Sequence, residues 1–359
     1  MYLNYLKNIN IFSIILSFLP LFFIAGVALN NIYSVLMGLY GMYLFFYIKK
    51  YNYKRNLYLN FFLVFTILLI FSSLISNFKI ESSKTSFPYL IYYFYFIASI
   101  HILHEWKEIN FRYFLISIYI SVTIVFCFSI IQYFHLSKND QGDLYYLYRN
   151  NGISSLFDKK ILGIYLVKIF PLFIGLKIYL REKLRYYDYI IIFLICLMIL
   201  FSFHRTSILI FLLFILLTFI TVKEFKNYFM IISILSIVTF LVSLVLSQDL
   251  SKSVISKTKN QILTETGINY YPEHYLGHYK TSIKMIKKNF ISGTGPNTFR
   301  YLCSDKEYEI IYDKFINEKG ELEKLNSCST HTHNFYLQIF SESGVFTFLL
   351  FSFFYIFIF

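Results

Sequence analysis

Long apolar runs constrain this chain more than any other feature. From Ile9 to Ser247 the sequence repeatedly continues for a helix length with few or no charges. Stretches of about 18 or more such residues read as membrane-crossing helices. Charged residues make up only 15% of the chain and apolar residues 57%, whereas soluble domains carry about a quarter charged residues. Periodicity adds little inside these runs, because a lipid-facing helix is apolar all round.

Nine runs precede a long polar segment: Ile9–Leu29, Ile32–Ile48, Leu59–Ser76, Pro88–Leu103, Tyr113–Phe134, Ile161–Leu180, Tyr187–Phe203, Thr206–Val222 and Tyr228–Ser247. The expected fold class is therefore all-α, a polytopic transmembrane helix bundle of about ten spans. Residues 1–247 form its nine-helix region, 248–333 a large loop, and 334–359 a further helix. The first run has no small-residue cleavage site and reads as an anchor rather than a signal peptide. Phe335–Ser343 is amphipathic and Gly344–Phe359 apolar. The second stretch is short for a full span, so the chain is expected to be cut short at Phe359.

Cytoplasmic loops carry an excess of lysine and arginine. With the N-terminus inside, those loops hold Lys49, Lys50, Lys54 and Arg55, then Lys107 and Arg112, then Lys177, Arg181, Lys183 and Arg185, then Lys223 and Lys226. The outside loops carry fewer, chiefly Lys79 and Lys84. An odd number of spans then puts the large loop outside the cytoplasm. The net charge of +13 also suits anionic lipid or diphosphate groups. No basic patch lies on a soluble domain, which argues against nucleic acid as a partner.

Chemistry-bearing residues gather around this loop. His331-Thr-His333-Asn334 closes it, and a histidine neutral near pH 7 can take a proton from a sugar hydroxyl. The bland reading is an interfacial histidine. Arg205 follows Ser202-Phe-His204 between two apolar runs, where a guanidinium is costly unless paired or facing a wet cavity. Its planar fork suits phosphate oxygens, although an interface anchor would look the same. Lys168, inside the sixth run, is open to the same two readings. Arg300 follows the turn Gly293–Phe299, where glycines permit close backbone approach to an anion. Arg149 and Lys280 are secondary phosphate contacts or solvated loop charges. Cys127 and Cys196 fall inside spans as packing residues. Cys303 and Cys328 share the outer loop, where an oxidising compartment permits a disulfide. Two free thiols, or a zinc site completed by His331 and His333, are the alternatives, the latter without a Cys-x-x-Cys pair.

These residues carry a resemblance to the O-antigen ligase/polymerase superfamily of membrane glycosyltransferases. His333-Asn334-x-x-Leu337 with Glu342-x-Gly344 resembles its His-Asn-x-x-Leu and Glu-x-Gly signature. Gly293-x-Gly295-x-Asn297-x-Phe299 and Ser202-x-x-Arg205-Thr206 resemble its glycine turn and its arginine site. Tyr275 stands where many members carry arginine, which leaves His278 or Lys280 to make that contact. The resemblance implies an enzyme of the bacterial inner membrane with its active site on the periplasmic side. It would move a glycan from undecaprenyl diphosphate to lipid A-core or another glycan acceptor, without metal or other cofactor. His333 would be the general base, while Arg205, Arg300, Arg149, Lys280, His331 and Asn334 would bind diphosphate and substrate. Joining O-antigen to lipid A-core is the first reading and polymerising repeat units the second. A transporter using Lys168 and Arg205 is remote, for it would want charged or broken helices in matching halves. Arg205→Lys is expected to slow glycan transfer in a membrane assay although it keeps the charge, because a point charge lacks the bidentate fork.

Overall fold

A computed structural model of the chain describes residues 11–47, 56–138, 154–157, 161–202, 204–221, 226–246, 263–264, 267–268, 273–316 and 322–358. Arg149 lies outside the described residues, as do Lys49, Lys50, Lys54, Arg55 and Lys223. In chain order come helices α1 Ile11–Ser17, α2 Leu19–Ile24, α3 Val27–Tyr47, α4 Leu57–Ile75, α5 Lys79–Ser86, α6 Pro88–Glu105 and α7 Glu108–Lys138. Then follow α8 Leu162–Tyr179, α9 Tyr186–Phe201, α10 Arg205–Thr221 and α11 Lys226–Leu246. The loop region holds strands β1 Leu263–Thr264 and β2 Gly267–Ile268, α12 Glu273–Lys288, α13 Phe299–Leu302, and strands β3 Ile311–Ile316 and β4 Leu322–Asn326. α14 Phe335–Ile358 ends the series.

The apolar runs thus become helices. Among the described residues, five segments are long and apolar enough to cross a membrane: Leu57–Ile75, Lys79–Glu105, Glu108–Gln132, Leu162–Tyr179 and Phe335–Ile356. Three apolar helices are shorter, at Tyr186–Phe201, Thr206–Ile220 and Ser233–Val242. The chain is a multi-pass membrane protein.

Two details depart from the sequence expectation. The first apolar run is not one rod, because α1 gives way to α2 at Phe18, with Pro20 in the first turn of α2. Proline lacks the N–H that would continue the preceding helix. The run then breaks again at Gly26 before α3. The short connection holding Lys79 and Lys84 is itself helical, with Lys84 paired to Glu81 one turn back at 2.8 Å.

The chain divides into two units, Met1–Tyr33 with Ile102–Asn260, and Ser34–His101 with Gln261–Phe359. In the first unit, α7, α8 and α9 share an apolar core that includes the fully buried Ile118, Val122, Leu166, Phe170, Phe173 and Ile195. At one end of it lies a group of charges. Lys177 is only 1% exposed, and its Nζ sits 3.1 Å from both Asp188 Oδ1 and Glu182 Oε2. Asp188 is fully buried; its Oδ1 accepts the Tyr119 hydroxyl and its Oδ2 the Arg185 backbone N–H at 2.7 Å. Arg112 reaches Glu182 at 3.3 Å. Lys177, expected in a cytoplasmic loop, is instead buried at the end of α8, because the chain returns through Glu182 and Asp188 and covers it with counter-charge. Lys168, by contrast, is exposed.

In the second unit, α14 is two helices joined at Gly344, whose φ of 78° and ψ of 176° are non-helical. Phe335 meets Phe351 edge-on at 5.1 Å, and Phe340 stacks on Phe348 at 4.8 Å. In a straight helix, residues sixteen apart would be separated by about 24 Å. The two arms therefore fold toward each other. The bend falls where the amphipathic stretch ends and the apolar one begins. The outer arm packs along α4, with Phe354 against Tyr58 and Phe61 and with Phe351 against Phe65.

Removing one partner of a buried ion pair costs roughly 3–5 kcal/mol where the other is left uncompensated, and less here, where Glu182 still faces Lys177. Asp188→Asn should accordingly lower the thermal midpoint of the detergent-solubilised protein. The apolar pair Lys177→Met with Asp188→Leu should recover most of that loss.

Candidate active site

The glycine turn and the Glu-x-Gly segment, separate motifs in the sequence, form one structure. Gly293 has φ of 68° and Gly344 φ of 78°, a region that side-chain-bearing residues rarely enter. A methyl group at Gly293 would strike the Glu342 backbone, and one at Gly344 would strike the Ile291 carbonyl. Backbone bonds join the two segments: Thr294 N–H donates to Ser341 O at 3.0 Å, Gly295 N–H to Glu342 O at 2.7 Å, and Val345 N–H to Phe290 O at 3.0 Å.

Glu342 completes the joint. Its side chain is 5% exposed, and its carboxylate accepts the backbone N–H groups of Asn297 and Phe299, each at 3.0 Å. Gln338 adds a third donor at 3.3 Å. These bonds fill a buried carboxylate's need for donors. They also fix the chain where it enters α13, the helix that carries Arg300. Ser72 of α4 and Ser76, the residue just after that helix, finish the arrangement: Ser72 Oγ donates to Ser292 O at 2.6 Å and lies 3.0 Å from Glu342 O, while Ser76 Oγ donates to Thr294 O at 2.6 Å. The sequence reading missed both. Their signal is a cluster of serines at helical spacing in an otherwise apolar run, the kind of small polar surface that lets helices approach closely.

The histidine segment is held from two sides. Cys303 and Cys328 form a disulfide, tying the end of α13 to the residues that follow β4. Both sulfurs are thereby engaged, which removes the zinc reading that required them as ligands. At the other end Asn334 Oδ1 accepts the Leu337 N–H at 3.1 Å and so caps α14. Thr332, fully buried, donates to Asn334 O at 2.7 Å. Of the sequence-predicted substrate contacts, Asn334 thus has a side-chain oxygen committed to the start of the helix.

Between these ties stands His333, exposed, with φ of 55°. A non-glycine residue in that region costs of order 1–3 kcal/mol and persists only where its surroundings over-determine it. Those surroundings are aromatic. The His331 ring lies 4.1 Å away, the Tyr275 ring 4.8 Å, and the His278 ring 5.2 Å. Ser329 Oγ is 3.2 Å from His333 Nε2, and Thr330 Oγ1 is 2.9 Å from His331 Nδ1. Tyr275 and His278, one turn apart on α12, face His333, while Lys280 is exposed on the same helix. Arg300 is exposed on α13, between the buried Phe299 and Tyr301, which stacks on Phe78 at 5.3 Å. Arg205 is the first residue of α10, in the other unit. Just before it, His204 Nδ1 accepts the Ser207 N–H at 3.2 Å, in the manner of a helix cap.

A multi-pass helical protein presents, then, an exposed imidazole held in a strained backbone position at the head of an apolar helix. Residues 190–352 match the family described as O-antigen ligase, and that match supports a relation to the O-antigen ligase superfamily. The matched stretch includes Arg205, Arg300, Glu342 and His333. No curated protein and no solved structure matches the chain. The match supports a membrane enzyme of the ligase/polymerase type, a family that implies a lipid-linked glycan and a glycan acceptor as partners.

The disulfide closes a loop with a sequence separation of 25, which the chain-entropy model values at roughly 3 kcal/mol. Replacing both Cys303 and Cys328 with serine should lower glycan transfer and loosen residues 327–333 toward proteolysis. Membrane insertion should remain at the wild-type level on carbonate extraction.

Proposed function

We propose that this protein transfers a glycan from undecaprenyl diphosphate to a hydroxyl of lipid A-core, on the periplasmic face of the inner membrane, with His333 as the base. The observation that carries the proposal is the exposed His333 imidazole, held in the left-handed region with a hydroxyl already 3.2 Å from its Nε2. That is the reach a proton transfer requires. The acceptor hydroxyl takes the place that Ser329 Oγ marks and gives its proton to His333. The oxygen's electron pair forms the new bond at the anomeric carbon. The bond from that carbon to the diphosphate oxygen breaks, and the lipid diphosphate leaves with its electron pair. Displacement from the opposite face inverts the anomeric centre.

Diphosphate is a good leaving group, so fixed positive charge can take the place of a general acid. Arg300 and Lys280 are exposed cations of the same unit as His333 and are proposed for this role, with His331 beside the reacting hydroxyl. Arg205 and Arg149 complete the set of cations proposed from the sequence. The reaction as written uses neither a metal nor a nucleotide sugar.

His333→Ala should abolish transfer while leaving insertion intact; near-wild-type transfer in that variant removes His333 from the mechanism. In a deletion strain, bare lipid A-core with accumulated carrier-linked polymer is the expected pattern on a lipopolysaccharide gel. Bands of a single repeat unit on core would instead make the enzyme the polymerase of the pathway.

A further inference from the structure

We infer that His278 is a positioning residue for His333, acting through its ring and not merely as packing; this rests on the assignment of His333 as the base. His278 is 7% exposed, and its Nδ1 lies 2.6 Å from Ser327 O. A carbonyl oxygen only accepts, so Nδ1 carries the hydrogen. The ring is thereby fixed against rotation. Ser327 is itself immobile: its Oγ accepts the Ile310 N–H at 3.0 Å and pairs with Thr281 Oγ1 at 2.8 Å. The next residue, Cys328, is bonded to Cys303. Edge contact with Phe299, 83° between planes, closes the other side of the ring.

His333 stacks on this fixed ring, 5.2 Å between centroids and 29° between planes. When His333 takes the acceptor's proton it becomes a cation lying against the face of an aromatic ring, whose π-system attracts positive charge. The same stack opposes swinging of an exposed imidazole whose backbone is strained. In this assignment His278 acts on the substrate only through the His333 ring. Its contribution is orientation, and displacement of a reacting group by about 1 Å can cost on the order of a hundredfold in rate.

The decisive variant is His278→Asn. The asparagine amide nitrogen falls near the place of the imidazole Nδ1, so it keeps the bond to Ser327 O and removes the ring. We expect the thermal midpoint and the disulfide to be retained, the KM for carrier-linked glycan to stay within about twofold, and kcat to fall by about tenfold or more. Wild-type kcat in His278→Asn overturns the inference. A fall in thermal midpoint that accounts for the lost activity overturns it too, by reducing the ring to packing. If His333→Ala transfers normally, the base assignment fails and this inference with it. If His333→Ala is inactive while His278→Asn is as fast as wild type, only the inference fails.

Discussion

A buried carboxylate that accepts two backbone N–H groups is the constraint on which the second unit depends. Glu342 lies in the first arm of α14 and bonds to Asn297 and Phe299, on the turn that leads into α13. Leaving such a carboxylate without donors would cost several kcal/mol, so the turn and the arm are set together. Gly293 and Gly344 matter for the same reason: at each, the opposing backbone occupies the place where a Cβ would stand. The Glu-x-Gly and Gly-x-Gly motifs of the O-antigen ligase signature therefore act here as a clasp. The proposed chemistry is left to the histidines.

From the clasp the order passes outward by covalent and hydrogen-bonded steps. The turn fixes α13, α13 ends at Cys303, and the disulfide carries that position to Cys328. Asn334 and Thr332 fix the other end of the same segment at the start of α14. His333 lies between two anchored points, which is how a residue with a left-handed backbone and an exposed ring can keep one orientation. Preorganisation of this kind is what the proposed role of His333 as a base requires.

Much of this was legible in the sequence. The apolar runs became helices, the division between Ser343 and Gly344 marked the bend in α14, and Cys303 and Cys328 were paired from compartment and position. Motif spacing singled out His333 and Arg300. What the sequence hid depends on three-dimensional return of the chain. Lys177 resembles its loop neighbours until Glu182 and Asp188 fold back over it. The break at Phe18 lies inside an unbroken apolar run. The strands β3 and β4 carry no strong alternation, and both lie within the loop that the disulfide closes. His278 sits far from His333 in the sequence, and nothing in its local pattern announces that the two rings stack.

The most direct test of this account is amide hydrogen exchange on the membrane-reconstituted protein, comparing wild type with Glu342→Gln. The clasp predicts that residues 293–303 and 327–337 are both protected in the wild type and lose protection together in the variant. Faster exchange confined to 293–303, with 327–337 unchanged, would show that the histidine segment is held independently of Glu342 and would contradict the account.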